Sequence, residues 1–235
     1  MKKRYNIISI ICVRKNSKGL KNKNLMKIGN KSLLSHTIFA AKKSQYISKV
    51  YVSTDCNKIK KEANKHGALT PFKRPKNLSG DNVTSEKVLQ HALINIENNS
   101  KKNIDYVLYL QVTEPFRPKL IIDNCIKKII RNRKLDTVFA AKSYKKNIWY
   151  KKNNSLIRLN SFEKYGLPRQ KKKLLLREDT GVACISKASI IRNGSRIGKK
   201  VDVVLYEHDF DYIDIHNKND LLISNFIQKK DLFKS

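Results

Sequence analysis

The chain has 235 residues, with 51 Lys and Arg against 19 Asp and Glu, for a formal net charge of +32. A chain this long buries roughly 70–75% of its unfolded surface, so its core needs neither disulfides nor a structural metal. The separated cysteines Cys12, Cys56, Cys125 and Cys184 form no CxxC pair, which excludes a zinc ribbon and points to a reducing compartment.

Asn6–Val13 is an apolar, β-branched run and predicts a buried first strand. Behind it comes the loop CVRKNSKGLKNKNL (Cys12–Leu25), rich in Lys and Arg and opened by one glycine, Gly19. A strand that delivers such a loop to a sheet edge suits a polyphosphate, with Gly19 letting the backbone come close. Neither G-x-x-x-x-G-K-[ST] nor G-x-G-x-x-G is present, which argues against a Walker-type ATPase and a dinucleotide-dependent dehydrogenase. Ser32–Ser44 places Leu33, Leu34, Thr37, Ile38 and Ala41 on one helical face. Lys49–Ser53 predicts a second strand, with Asp55 capping a helix over Lys58–His66. Ala68–Phe72 reads as a third short strand, Thr84–Ile96 as a helix, Tyr106–Gln111 as a fourth strand. Leu120–Ile130 reads as a helix entered through Pro118, and Thr137–Ala141 as a fifth strand. Residues 144–180 are polar, basic and irregular, and read as an excursion that covers a site or packs on a partner subunit. Strands over Val182–Ser186, Val201–Tyr206 and Tyr212–Ile215 and a helix over Lys218–Ile227 close the chain. Alternating strands and helices predict an α/β fold with a mostly parallel sheet, as a single domain over 1–235.

The cations are spread over every segment among many Asn and Ile, as an A+T-rich coding sequence produces, and are not gathered into one patch. No RNP-type aromatic motif, zinc-finger spacing or helix-turn-helix supports a nucleic-acid partner. No run approaches the ~20 apolar residues that cross a bilayer, and the apolar stretch behind Met1-Lys2-Lys3-Arg4 is too short for a signal peptide. The expected location is cytoplasmic.

Four patterns with chemical potential follow predicted strand ends, where ligands bind in open parallel sheets. The first is the opening loop, with Arg14, Ser17, Lys18, Lys23 and Asn24; Lys15 and Lys21 belong to the compositional background. The second is Arg74-Pro75 followed by Gly80-Asp81-Asn82-Val83-Thr84-Ser85, in which Arg74 can reach a base carbonyl and Ser85 a base or ribose, or simply start a helix. The third is Leu110–Arg117 (LQVTEPFR), whose Gln111 and Thr113 suit a hydroxylated ligand. The fourth is Asp209, Asp211, Asp214 and His216. A strand there puts Asp214 and His216 on one face. Asp214 is the better ligand for Mg²⁺, with His216 either a metal ligand or a local partner.

Together these patterns resemble the CMP-N-acetylneuraminate (sialic acid) synthetases, the acylneuraminate cytidylyltransferase family. ICVRKNSKGLKNKNL is similar to that family's A-R-x-x-S-K-G-x-x-x-K-N-L signature, with Val13 where Ala is usual. VYVSTD (Val50–Asp55), RPKNLSGDNVTS (Arg74–Ser85), LQVTEPFR and YIDIHNKNDL (Tyr212–Leu221) follow in the family's order. The resemblance implies a Rossmann-like, three-layer nucleotidyltransferase domain, with 144–180 as a dimerisation extension at the sugar site. It implies transfer of CMP from CTP to a sialic-acid-like 2-keto sugar acid, or to a legionaminic, pseudaminic or eight-carbon acid, by a homodimer. Arg14, Ser17, Lys18 and Lys23 would hold the triphosphate, and Asn24, Arg74 and Ser85 the cytosine and ribose. Gln111, Arg169 and Arg177 would hold the sugar acid, and Asp214 the Mg²⁺. Arg14, Lys18, Lys23 and Asp214 would be the catalytic set. The chain departs from the family at three places. Asp214-Ile215-His216 stands where D-x-D is common, Glu114 enters LQPTSPLR, and residues 179–184 only approximate N-G-A-x-Y. A basic protein that kept the fold and lost catalysis, and a nucleotide sensor, are the readings of other classes.

Overall fold

The structure is a computed structural model that describes residues 5–15, 19–160, 166–207, 210 and 213–233, with Arg169 described by its backbone. Its strands are β1 (Ile7–Cys12), β2 (Lys27–Ile28), β3 (Lys31–Ser32), β4 (Lys49–Ser53), β5 (Tyr106–Leu110), β6 (Thr137–Tyr144), β7 (Trp149–Lys152), β8 (Ser155–Arg158), β9 (Leu175–Glu178), β10 (Cys184–Lys187) and β11 (Val201–Leu205). Its helices are α1 (Leu33–Lys43), α2 (Asn57–Lys65), α3 (Ser85–Ser100), α4 (Ile121–Arg131), α5 (Ala188–Arg192) and α6 (Lys218–Lys229).

The central sheet runs β11-β6-β10-β5-β1-β4, and β9 pairs with the far part of β6. β4, β1, β5, β6 and β11 point one way, and β9 and β10 run against them, so the sheet is mostly parallel as the alternation predicts. In β1, Ile7 and Ile11 face one helical layer while Ile8 and Ile10 face the other. Burial on both faces explains why this strand is a near-continuous apolar run with no polar alternation. β5 divides the same way, Tyr106, Leu108 and Leu110 against Val107 and Tyr109. Leu34 and Ile38 of α1, Ile59 of α2, Ile126 of α4 and Ile227 of α6 fill the first layer; Leu89 and Leu93 of α3 and Ile191 of α5 fill the second. The α1 face read from periodicity is buried throughout, and Ser32 starts the helix by accepting the Ser35 N–H at 3.1 Å, a cap worth about 1 kcal/mol.

Several expectations need correction. Ala68–Phe72 forms one parallel bridge, Leu69 to Tyr51, and no strand; Pro71 has no N–H with which to continue the ladder. Asp55 does not cap α2. Cys56 occupies the cap position without a side-chain bond, and Asp55 Oδ1 instead accepts the Lys15 N–H at 2.8 Å. Ile213–His216 is not a strand, so the period-two argument for Asp214 and His216 fails; a single backbone bond, Ile215 N–H to Thr113 O at 3.0 Å, stands where the ladder was expected. Tyr212, Asp209 and Asp211 lie outside the described residues. Within 144–180 there is more order than its polarity suggests. β7 and β8 form a hairpin around Asn153-Asn154, with Asn153 at φ +52°, and β9 lies back along β6.

The connection from β1 to β4 carries α1 on one face, and that from β4 to β5 carries α2 on the same face and then α3 on the other. β4 and β5 flank β1 on opposite sides, so the strand order reverses at β1, and the carboxyl ends beside such a reversal are where ligands bind in open α/β sheets. Register makes that rim level: Cys12 pairs with Ser53 and Ile11 with Leu110. Among the described residues no helix is long and apolar enough to cross a membrane.

Candidate functional site

At the end of β1 the Val13 N–H still donates to Ser53 O at 3.0 Å, and then the opening loop leaves the sheet. Arg14 Nη1 pairs with Asp81 Oδ1 at 2.6 Å, which joins the first predicted pattern to the second. Asn24 is buried in a 3-10 turn over Lys23–Leu25, and its Nδ2 donates to Arg14 O at 3.1 Å, so it braces the loop from inside. Lys23 Nζ donates to Ile215 O at 2.7 Å. Burial lowers its pKa from the ordinary lysine value, against the opposing pull of Asp214 and Asp220. Gly19 does need space, but against its own chain: a Cβ there would lie 2.2 Å from His216 O. Contact between loop and 213–216 segment therefore requires glycine. Ser17 and Lys18 lie outside the described residues. Lys15 and Lys21, placed in the background by sequence, line a cavity of about 250 Å³ beside the loop with Asn24, Cys56 and Lys58.

The second group sits one strand away. Arg74 is 4% exposed; its Nε donates to Ser53 Oγ at 3.2 Å and its Nη2 to Ser53 O. Burial holds its pKa below the usual arginine value, against the opposing charge of Asp55. Ser85 is the first residue of α3 and not its cap, a role that belongs to Thr84; the Ser85 side chain is hydrogen-bonded to Tyr109, whose phenol burial pushes above its ordinary pKa. The Arg196 guanidinium lies over the Tyr109 ring, 5.0 Å from its centroid, and within 3.6 Å of Glu86. Sequence reasoning missed Arg196, because it lies in a turn after α5 that carries no motif.

The third group surrounds the LQVTEPFR turn. Gln111 is exposed, and its backbone N–H donates to Gly181 O at 2.9 Å. Arg117, 5% exposed, is a clamp beneath it. Its Nε donates to Val182 O at 2.9 Å, and its Nη2 to Gly181 O at 3.2 Å and to Gln111 O. Burial pulls its pKa down to about 10. Arg177, on β9, is committed to Asp179 through two bonds of 2.6 and 2.8 Å, and Tyr206 donates to the same carboxylate at 2.8 Å. Arg169 begins a 3-10 turn, and its side chain lies outside what is described. The Glu114 carboxyl is pushed up to about 7, chiefly by burial and then by the negative charge of Asp214. Asp214 Oδ2 meets His216 Nε2 at 2.8 Å, whereas its Oδ1 is buried with no partner among the described residues. No group of three or more His, Cys, Asp or Glu able to hold a metal occurs among the described residues. Mg²⁺ needs fewer, since one or two carboxylates plus substrate phosphates suffice. An orphaned carboxylate oxygen beside a loop rich in Lys and Arg fits that ion.

Arg14, Lys23 and Asn24 thus meet Asp214 and His216 at one rim, with Gln111 reached through Glu114, and with Arg74 and Ser85 on the neighbouring strand end. The sequence pattern of the cytidylyltransferases matches residues 8–193. The chain belongs to the cytidylyltransferase family. The pseudaminic acid cytidylyltransferase of Campylobacter jejuni is 35% identical over 58% of each chain. The CMP-N,N'-diacetyllegionaminic acid synthase of the same species is 33% identical over 46% of each. The N-acylneuraminate cytidylyltransferase of Escherichia coli is 36% identical over 53% of this chain and 28% of its own. The chain therefore spans about half the length, or less, of these relatives. In three dimensions it is similar to a CMP:2-keto-3-deoxy-manno-octonic acid synthetase complexed with CTP, with a TM-score of 0.70, 14% identity and coverage of 96% and 99% of the two chains. At that identity the likeness shows the fold alone, an α/β architecture with a mostly parallel sheet.

Proposed function

We propose that this cytidylyltransferase transfers CMP from CTP to the anomeric hydroxyl of a sialic-acid-like 2-keto sugar acid and releases pyrophosphate. The observation that carries the reading is the junction of the basic opening loop with the Asp214 segment, locked by Gly19 and Lys23, in a chain whose family handles cytidylyl groups. Arg14 and Lys23, with Ser17 and Lys18 of the same loop, bind the triphosphate and offset charge on the leaving pyrophosphate. Asn24, Arg74 and Ser85 hold the base and ribose. The hydroxyl oxygen bonds to the α-phosphorus as the bridging P–O bond on its far side breaks, and the hydroxyl proton leaves to solvent. Such transfers depend on positioning and charge stabilisation, with no covalent intermediate required. Asp214 is the residue suited to hold Mg²⁺, which when bound supplies positive charge against the phosphate oxygens. Gln111 and Arg169 are assigned to the sugar acid, an Arg side chain suiting its carboxylate through paired bonds, and Arg177 would join them only by giving up its two bonds to Asp179. A homodimer is the favoured assembly, because the 144–180 segment leaves Trp149, Tyr150, Leu156, Leu174 and Leu176 exposed.

Pyrophosphate release tests the reading, assayed with CTP, Mg²⁺ and N-acetylneuraminate, legionaminic, pseudaminic and eight-carbon keto-sugar acids in turn. Release with one of them, together with the matching CMP-sugar, is the expected result. CTP binding without release for all of them sinks the catalytic reading in favour of a nucleotide sensor. Salt-sensitive RNA binding without a CTP-dependent thermal shift favours the basic-protein reading.

A further inference from the structure

We propose that Glu114 supplies the second carboxylate to the divalent cation at this site, in the place that an Asp-x-Asp pattern would give to residue 216. The inference rests on the cytidylyltransferase reading of the rim. His216 is poorly suited to the task. It is 66% exposed by side chain, and its Nε2 is already engaged with Asp214 Oδ2. Imidazole is also a less natural partner for a hard cation than carboxylate oxygen.

Other carboxylates nearby already have protein partners. Asp179 is held by Arg177 and Tyr206, Asp81 pairs with Arg14, and Asp220 accepts the N–H groups of His216 and Asn217 at the start of α6. The Glu114 carboxylate takes no hydrogen bond or ion pair among the described residues, and Asp214 exerts the largest of the charges acting on it. The bond from Ile215 N–H to Thr113 O fixes the two segments side by side. At that junction two oxygens, Asp214 Oδ1 and Thr113 Oγ1, are buried without partners among the described residues, and Thr113 as a whole is only 7% exposed. Gly181 leaves room for the arrangement, since a Cβ there would meet Gln111 Oε1 at 2.6 Å and Glu114 Cγ at 3.2 Å.

The composition sharpens the point. In a chain with 51 Lys and Arg against 19 Asp and Glu, two repelling carboxylates with no Lys or Arg hydrogen-bonded to either are unexpected unless a cation arrives from outside. Two carboxylates, a hydroxyl and the phosphate oxygens of the substrate form the all-oxygen set that Mg²⁺ takes.

The test uses Mn²⁺ as the probe, followed by electron paramagnetic resonance in the presence of CTP, with metal-free CTP affinity measured separately by calorimetry. Glu114→Gln and Asp214→Asn should each weaken Mn²⁺ binding by about tenfold or more, and His216→Asn by less than about threefold. Glu114→Asp, which keeps the charge, should recover part of the loss, a result that a merely misfolded variant would not give. The proposal is overturned if Glu114→Gln binds Mn²⁺ like the wild type, or if His216→Asn loses as much as Glu114→Gln. A wild type that binds no CTP defeats the reading of the site, whereas a loss of Mn²⁺ affinity confined to Glu114→Gln and Asp214→Asn still upholds the carboxylate pair.

Discussion

The two ends of the central sheet carry the same kinds of ionisable side chain under opposite conditions. Where β1, β5 and β6 begin, the charges are matched. Asp136 takes Lys187 Nζ and the Lys200 N–H, each at 3.1 Å, and Asp105 takes the Asn6 N–H at 2.8 Å. Glu97 takes Arg192 Nε and Nη2 at 3.0 and 2.6 Å and the Ile104 N–H at 3.0 Å. Where β1 and β5 end, Asp214 Oδ1 and Thr113 Oγ1 have no partner among the described residues, burial lowers the Lys23 pKa, and burial with Asp214 raises Glu114 to about 7. Leaving buried polar groups unpaired costs stability. In a chain so rich in cations the reason is not a lack of partners. Local rules of satisfaction are broken where a ligand completes them, and the contrast supports the proposal that the strand ends are the reacting end.

The strongest way to break the contrast is Lys23→Met. If the rim binds the triphosphate, loss of this ammonium should cost about 10²–10³ in kcat/KM with CTP, the usual size for a preorganised charge-stabilising group. A variant within threefold of the wild type would remove Lys23 from the chemistry and leave it a strut for Ile215. Gly19→Ala should come next. Its methyl has no place against His216 O, so the loop must move away from the Asp214 segment. A displacement of that order costs about 10² in turnover, whereas the melting temperature should fall by less in proportion, because Gly19 and His216 are themselves exposed even though Leu20 and Ile215 beside them are buried. Equal loss of stability and activity would mean that the contact is structural.

These two residues also show how much could be read beforehand. α1, β1, β4 and β5 were legible because their apolar period is set within a dozen residues, and the loops after them inherit the positions of the strand ends. Gly19 was legible as a residue that needs closeness, yet what it approaches is the distant His216 backbone. Asp214 was legible as an acidic position, and its backbone was not, because one bond to Thr113 replaces the expected ladder. The β7–β8 hairpin had a local signal, Asn153-Asn154 between WYKK and SLIR, of the kind that favours a two-residue turn. Arg117 had none: its acceptors come from Gln111, Gly181 and Val182, which only the folded chain brings together.

Arg117 offers the third test, one that bears on stability. Arg117→Met takes the guanidinium from three carbonyls; Gly181 O and Gln111 O keep backbone donors and Val182 O loses the one it has, so the change should cost about 1–3 kcal/mol in denaturant unfolding. The clamp also sets the backbone beneath Gln111 and Glu114, so Mn²⁺ affinity should fall with it. A variant that loses stability and keeps Mn²⁺ affinity would separate the clamp from the rim it supports.

The smallest effect belongs to the matched end. Burial pushes the Glu97 carboxyl up, and the bonds from Arg192 and Ile104 outweigh it, so its pKa in the folded protein lies below the ordinary value. A carboxyl depressed in this way adds stability above the unfolded pKa, near 4.3, and loses it as pH falls through the folded one. The pair is partly exposed, with side chains 34% and 18% accessible, so solvent screening keeps the contribution at about 1 kcal/mol or less. Glu97→Gln should therefore lower the melting temperature by about 2–4 °C at pH 7, and the gap to the wild type should close toward pH 3. Turnover should stay within about twofold, since Glu97 lies at the opposite end of β5 from the rim. A tenfold change in kcat/KM from this one substitution would show that the two ends are energetically joined, and that matching at one end helps to hold the other unmatched.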